Sequence, residues 1–328
     1  MQAVVVDEFG GPEVLRIQER AEPEPGPGEV AIDVAYAGVN FADVQARASG
    51  YRTQSLPFVP GLEASGRVRA VGEGVTSLSV GQPVTALTTG GAYADVVLAP
   101  AALTFAVPGG LDLRTAATLP IVLPTAHALI HEIARLEDGE SVLVHSAAGG
   151  VGTVVGQIAR LGGAGAVLGV VSRPEKARYA LPFGYDDVFL ADDFDVRARA
   201  ATDGRGVDVA LDPVGGETWR RSLDVLAPFG RLVSFGNAGG EPPWTARFSA
   251  LTPNAAGVHA FSISTLAATA PQALRPVADR AFRLVAEGRV DVPITGDYEL
   301  EQAADVHRLL ESRESTGKMV LRLAAPGE

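Results

Sequence analysis

Ala147-Ala148-Gly149-Gly150-Val151-Gly152 has the spacing G-x-G-x-x-G, with alanine in the first place. Small residues there let the backbone approach a diphosphate, whose charge is met by free N–H groups where a helix begins. The flanking residues supply the strand and helix such a turn requires. Residues 142–144 are consecutive apolar, β-branched-rich residues, and Val154, Val155, Ile158, Ala159 and Leu161 recur at helical spacing. The run therefore reads as a dinucleotide-binding loop, with Ala148, Gly149, Gly150 and Val151 at the pyrophosphate. A ligand-free turn between strand and helix is the alternative.

About twenty residues beyond Gly152, NAD binders usually carry an acid for the ribose 2′-hydroxyl. Here the segment reads Val170-Val171-Ser172-Arg173-Pro174-Glu175-Lys176. Ser172, Arg173 and Lys176 can bind a 2′-phosphate, which a carboxylate would repel. NADPH (NADP+) is the expected cofactor; a solvated basic helix start is the bland alternative.

The elements that must position these residues follow from periodicity and punctuation. Residues 1–120 are rich in short β-branched segments (4–6, 29–35, 66–71, 83–86) separated by glycine and proline turns, and residues 23–28 read as a rigid surface loop. From 121 to 264 strands (142–144, 166–171, 207–211, 231–235) alternate with helices (152–161, 218–226), which implies a parallel sheet with crossover helices. A helix over 272–288, a strand near Tyr298, a helix over 300–311 and a strand over 318–323 complete the chain. The leftover C-terminal strand suggests that residues 265–328 complete the first domain; an independent third lobe is the alternative.

The composition excludes several classes. The 328 residues carry a net charge of −12, which argues against a nucleic-acid partner. No cysteine is present, so neither a disulfide framework nor a thiolate metal site can form. No run approaches the ~18 apolar residues of a membrane span, and residues 1–7 lack the basic start and apolar length of a signal peptide. A cytoplasmic protein is expected.

Taken together, Ala37-Gly38-Val39-Asn40-Phe41-Ala42-Asp43, Pro60-Gly61-Leu62-Glu63-Ala64-Ser65-Gly66, the glycine turn, Asp212-Pro213-Val214-Gly215-Gly216-Glu217-Thr218-Trp219, Ser234-Phe235-Gly236-Asn237 and residues 307–313 resemble the zinc-free quinone oxidoreductases (ζ-crystallin-like) of the medium-chain dehydrogenase/reductase superfamily. The resemblance spans essentially the whole chain. It implies an α/β fold: a Rossmann-type doubly wound parallel-sheet domain and a β-rich GroES-like catalytic domain built from both ends of the chain. It places Ser172, Lys176 and Arg313 at the 2′-phosphate, with Ala191 where relatives carry a tyrosine. Val214, Phe235, Gly236 and Asn237 would line the nicotinamide, and a homodimer is implied; residues 244–261 are apolar enough to contribute to its interface or, equally, to line the cleft.

Such a fold leaves hydride chemistry to the cofactor and positioning to the protein. Asn40 is the first catalytic candidate, since its amide can donate to an acceptor oxygen or orient the nicotinamide. Asp43 could position that loop or be an exposed turn acid. Tyr51 resembles a cleft tyrosine and could donate or only pack. Gln45 stands where similar bacterial enzymes carry tyrosine, and a glutamine cannot deliver a phenolic proton. Arg47 reads as a solvated face. Thr125 could open a helix and touch the nicotinamide, or simply cap it. Lys318 could contact phosphate or be a surface lysine; Glu63 reads as a buried structural acid. His127 and His131 share a helix face and read as packing residues, and no metal site is expected. The expected activity is NADPH-dependent, zinc-independent reduction of quinones or related conjugated carbonyls. An enoyl or alkenal reductase, or a non-catalytic NADPH-binding crystallin-like protein, are the alternatives.

Overall fold

Alternation of small and β-branched residues makes Glu29–Val39 the central strand of one sheet. It pairs antiparallel with Glu63–Val71, with Val96–Pro100 and with the C-terminal strand Lys318–Arg322, which in turn runs parallel to Ile294–Glu299. Register decides what this sheet brings together. Gly38 lies opposite Glu63, and Val39 lies opposite Met319, so Glu63, Asn40 and Lys318 converge at one end. Gly38 makes room there, because a Cβ at that position would sit 2.4 Å from Glu63 Oε1 and 2.6 Å from the Ala117 carbonyl. Helix Phe41–Ser49 follows directly and stops at Gly50, which takes the left-handed φ of 74°.

The computed structural model describes residues 1–51, 55–241 and 245–323. These belong to two units, Met1–Pro124 with Ser264–Glu328, and Thr125–Ile263. Among the described residues of the second unit, six parallel strands take the order Asp187–Leu190, Ala166–Val171, Ser141–His145, Val207–Asp212, Leu226–Ser234, Gly257–Ala260. In chain order that is 3-2-1-4-5-6, the doubly wound arrangement whose strand ends bind dinucleotides. No helix of the described residues is long and apolar enough to cross a membrane.

The expected strands and helices recur with shifted ends, and some elements were not foreseen. The helix expected at 218–226 is Gly216–Asp224, and Leu226 already begins the next strand. Strands Leu15–Glu19, Val96–Pro100, Asp187–Leu190 and Gly257–Ala260 lacked a strong alternating signal. Trp244 lies outside the described residues. Phe248 is 81% exposed, and the edge strand Gly257–Ala260 is half-buried at most.

Helix Gly150–Leu161 packs tightly onto the first parallel strand. A Cβ at Gly152 would lie 2.3 Å from the Ser146 carbonyl and 2.7 Å from Ala147 Cα, both backbone atoms that cannot swing aside. Gly152→Ala is therefore expected to lower stability in urea by roughly 1–3 kcal/mol through overpacking; an unchanged midpoint would contradict this close approach.

Candidate functional site

In the first unit the site is built around a buried ion pair. Lys318 is 3% exposed and Glu63 0%, with Lys318 Nζ 2.7 Å from Glu63 Oε1. The ammonium also donates to the Val39 carbonyl (2.8 Å) and Asn40 Oδ1 (2.7 Å), so its three N–H groups have three partners. Asn40 Nδ2 donates to Glu63 Oε1 at 3.0 Å, and Glu63 Oε2 accepts from the Ile121 N–H at 2.9 Å. A lysine only donates and an ionised glutamate only accepts, so this network fixes which end of the Asn40 amide is oxygen. The other Nδ2 hydrogen makes only a long contact, 3.5 Å, with the Gly38 carbonyl, and the side chain is half-buried. The structure thus corrects both readings of Lys318. It is neither a surface lysine nor placed to spare a donor for phosphate, because strand pairing carries it into the interior.

Asp43, one helical turn on, is also buried rather than an exposed turn acid. Its carboxylate accepts from the Asn40 N–H (2.9 Å) and the Gly61 N–H (3.2 Å), tying the two loops together. Burial pushes its pKa up to about 7, against the pull of the Asn40 amide and Lys318. Tyr93 Oη lies 3.4 Å from Asp43 and 3.3 Å from His307 Nε2. Burial holds the Tyr93 phenol well above its usual range and, together with nearby Arg47, pushes His307 down to about 3. Arg47 is no solvated face either. It is fully buried, donating to the Gly10 carbonyl at 2.6 Å and pairing with Glu311, which draws it inward from helix Phe41–Ser49. Gln45 is half-buried on the same helix, and Tyr51 follows its end at 39% exposure.

In the second unit the carboxyl ends of the parallel strands carry the other candidates. Gly149 is the N-cap of helix Gly150–Leu161, whose first-turn N–H groups have no partner inside the helix. Ser172 and Arg173 are exposed after strand Ala166–Val171; Arg173 caps helix Pro174–Ala180, where Lys176 is half-buried one turn on. The Ala191 N–H donates to the Val171 carbonyl, which places it beside this loop. Val214, Phe235, Gly236 and Asn237 are brought together, because Ala238 N–H bonds to Pro213, Gly239 N–H to Val214 and Phe235 N–H to Asp212. Asp212 anchors the first of these loops through the Val214 and Gly215 N–H groups, and burial raises its pKa to about 6.

Thr125 does not open or cap a helix. It sits inside Leu119–His127 behind Pro124, buried, and its Oγ1 has no partner among the described residues. His127 and His131 do share a face, with ring centroids 4.6 Å apart. Arg313 belongs to the first unit, after helix Ala303–Glu311, with φ 56°.

The anchoring role of the Lys318–Glu63 pair was missed in the sequence. One signal was present: the chain has two lysines, Lys176 and Lys318, against 25 arginines.

Residues 26–109 match the family description "Alcohol dehydrogenase GroES-like domain", and residues 183–321 match "Zinc-binding dehydrogenase". The chain is 38% identical over 320 residues to the quinone oxidoreductase of Pseudomonas aeruginosa, covering 95% of this chain and 97% of that one. Among solved structures, Escherichia coli quinone oxidoreductase complexed with NADPH aligns with TM-score 0.91 at 31% identity, over 98% of this chain and 100% of that one. A mycobacterial protein complexed with NADPH aligns with TM-score 0.92 at 35% identity and the same coverage.

Asp43 also gives the site a pH signature. Between the unfolded pKa of 3.8 and about 7, the unfolded carboxyl ionises while the folded one keeps its proton, so stability falls as pH rises. His145 and His307, each pushed down to about 3 mainly by burial, oppose this below pH 6.5. Comparison with Asp43→Asn isolates the aspartate. Between pH 5 and 6.5, the stability of the native protein minus that of the variant is expected to fall by about 1.4 kcal/mol per pH unit. Parallel pH curves from urea denaturation would contradict the raised pKa.

Proposed function

Because the chain belongs to the quinone oxidoreductases of the medium-chain dehydrogenase/reductase superfamily, we propose that this oxidoreductase is an NADPH-dependent, zinc-independent reductase of quinones or related conjugated carbonyls. The observation that carries the cofactor reading is the trio Ser172, Arg173 and Lys176 at the end of the second parallel strand. The residues fit the group. Gly149 to Gly152 give close backbone approach at a helix N-terminus, and the orphaned Thr125 hydroxyl suits a polar cofactor group. Val214, Phe235, Gly236 and Asn237 would line the nicotinamide, and Arg313 is a further candidate for the 2′-phosphate.

Bound NADPH supplies a hydride and with it both electrons of the reduction. The rest falls to the chain. Asn40 presents its second N–H, which otherwise makes only a long contact with the Gly38 carbonyl, to the acceptor's carbonyl oxygen as that oxygen gains negative charge. Asp43 holds the Asn40 loop through its backbone; Gln45, on the helix that follows, and Tyr51, beyond its end, contribute to acceptor choice. Zinc independence is supported by the absence of cysteine and by Glu63 being committed to Lys318, Asn40 and Ile121. The enzyme would act in the cytoplasm on a small molecule, without nucleic acid. The exposed edge strand Gly257–Ala260 and neighbouring Phe248 support a homodimer, since unpaired strand edges invite a partner.

NADPH oxidation against a benzoquinone, an ortho-quinone and an acyclic enone, with NADH in parallel, tests the reading. Quinone turnover with NADPH is expected; turnover of the enone alone moves the assignment to a double-bond reductase and points to Gln45. Replacing Arg173 and Lys176 by alanine is expected to weaken NADPH roughly tenfold to a hundredfold, the loss of charge-assisted bonds, and to leave NADH nearly unchanged. Equal losses for both cofactors would contradict the 2′-phosphate assignment. Light scattering on the purified chain is expected to give twice the monomer mass, and a monomer would overturn the dimer.

A further inference from the structure

A buried ammonium and carboxylate stand beside Asn40, where hydride transfer to a carbonyl does not by itself demand them. Taking both charges out of water costs free energy that apolar residues of similar volume would avoid. Their geometry is aimed at the carboxamide. Lys318 Nζ meets Asn40 Oδ1 at 2.7 Å and Glu63 Oε1 meets Asn40 Nδ2 at 3.0 Å, so an amide flip would put like against like on both sides. An ammonium bonded to Oδ1 also draws electron density from the amide and strengthens its N–H groups as donors. Arginine, which serves nearly everywhere else in this chain, cannot replace the lysine here. A planar guanidinium cannot direct three donors at the three oxygens that converge on Nζ.

We propose that Lys318 and Glu63 are positioning residues for the reaction: they lock Asn40 in one orientation and polarise its second N–H, otherwise held only by a long 3.5 Å contact with the Gly38 carbonyl, toward the oxygen on which negative charge develops. This deepens, and rests on, the reading of the protein as a carbonyl reductase. A fixed donor in a protected site needs no reorganisation as charge appears, which is where such groups contribute most. Lys318 and Glu63 act through Asn40 and do not touch the acceptor.

The test removes both charges together, because Lys318→Met alone would strand Glu63 without its counter-charge. Lys318→Met with Glu63→Gln keeps an acceptor for the Ile121 N–H and lets the Asn40 amide turn. In this variant kcat for the best acceptor is expected to fall roughly tenfold to a hundredfold, with the NADPH dissociation constant unchanged. In an Asn40→Ala background the same two substitutions should cost nothing further. Equal losses in both backgrounds would overturn the proposal.

A second readout needs no cofactor. In ligand-free protein labelled at asparagine, the Asn40 carboxamide resonance is identified by its loss in Asn40→Ala. It should move in the Lys318→Met/Glu63→Gln variant and in Lys318→Arg; an unmoved resonance would overturn the proposal. Should the native protein turn over no quinone or enone, the functional reading fails, and the resonance still decides whether the pair orients Asn40.

Discussion

Burying a lysine beside a glutamate is tolerable only when every donor and acceptor of the pair is answered, and this constraint organises the first unit. Glu29–Val39 must pair with both Glu63–Val71 and Lys318–Arg322 in one register, or the charges are stranded. Gly38 must lack a side chain to admit the carboxylate, and Ile121 must bring its N–H to the second oxygen. The two ends of the sequence are thus held to one another by a polar requirement as well as by the apolar core that surrounds it. Asn40 is half-buried beside fully buried Glu63 and almost fully buried Lys318, so the rigidity of the interior is passed to its side chain.

The second unit follows a different logic. Its candidates are mostly backbone groups and loop residues at the carboxyl ends of parallel strands, held by close packing of glycines and by the buried Asp212. Little side-chain chemistry is needed to hold a dinucleotide, because helix termini already offer unpaired N–H groups. The cofactor preference proposed above rests on three side chains outside the sheet, Ser172 and Arg173, which are exposed, and Lys176, which is half-buried. The first unit is more constrained at Glu63, Asp43 and Lys318, which are buried and hydrogen-bonded.

This contrast explains what was legible in the sequence. The fold class was readable because strand, glycine turn and helix are contiguous there, and the alternation that follows repeats the same unit. Residues of the nucleotide unit lie within short segments, so spacing alone brought them to notice. Asn40, Glu63 and Lys318 are far apart in the chain and meet only through strand register, which no local pattern encodes. Arg47 reads in the sequence as a solvated face, and Lys318 as a phosphate contact or a surface lysine, because long cations usually reach solvent; each is drawn inward by a carboxylate supplied by a distant segment. Thr125 after Pro124 resembled a helix start, yet here the proline lies within the helix.

The most direct test of this account is a crystal structure of the protein with NADP+ and a redox-inert quinone analogue. The account predicts Asn40 Nδ2 within hydrogen-bond distance, about 2.7–3.2 Å, of the analogue's carbonyl oxygen, with Lys318 and Glu63 still on the other side of the amide. A carbonyl oxygen met by a different donor, with Asn40 facing away, would contradict it.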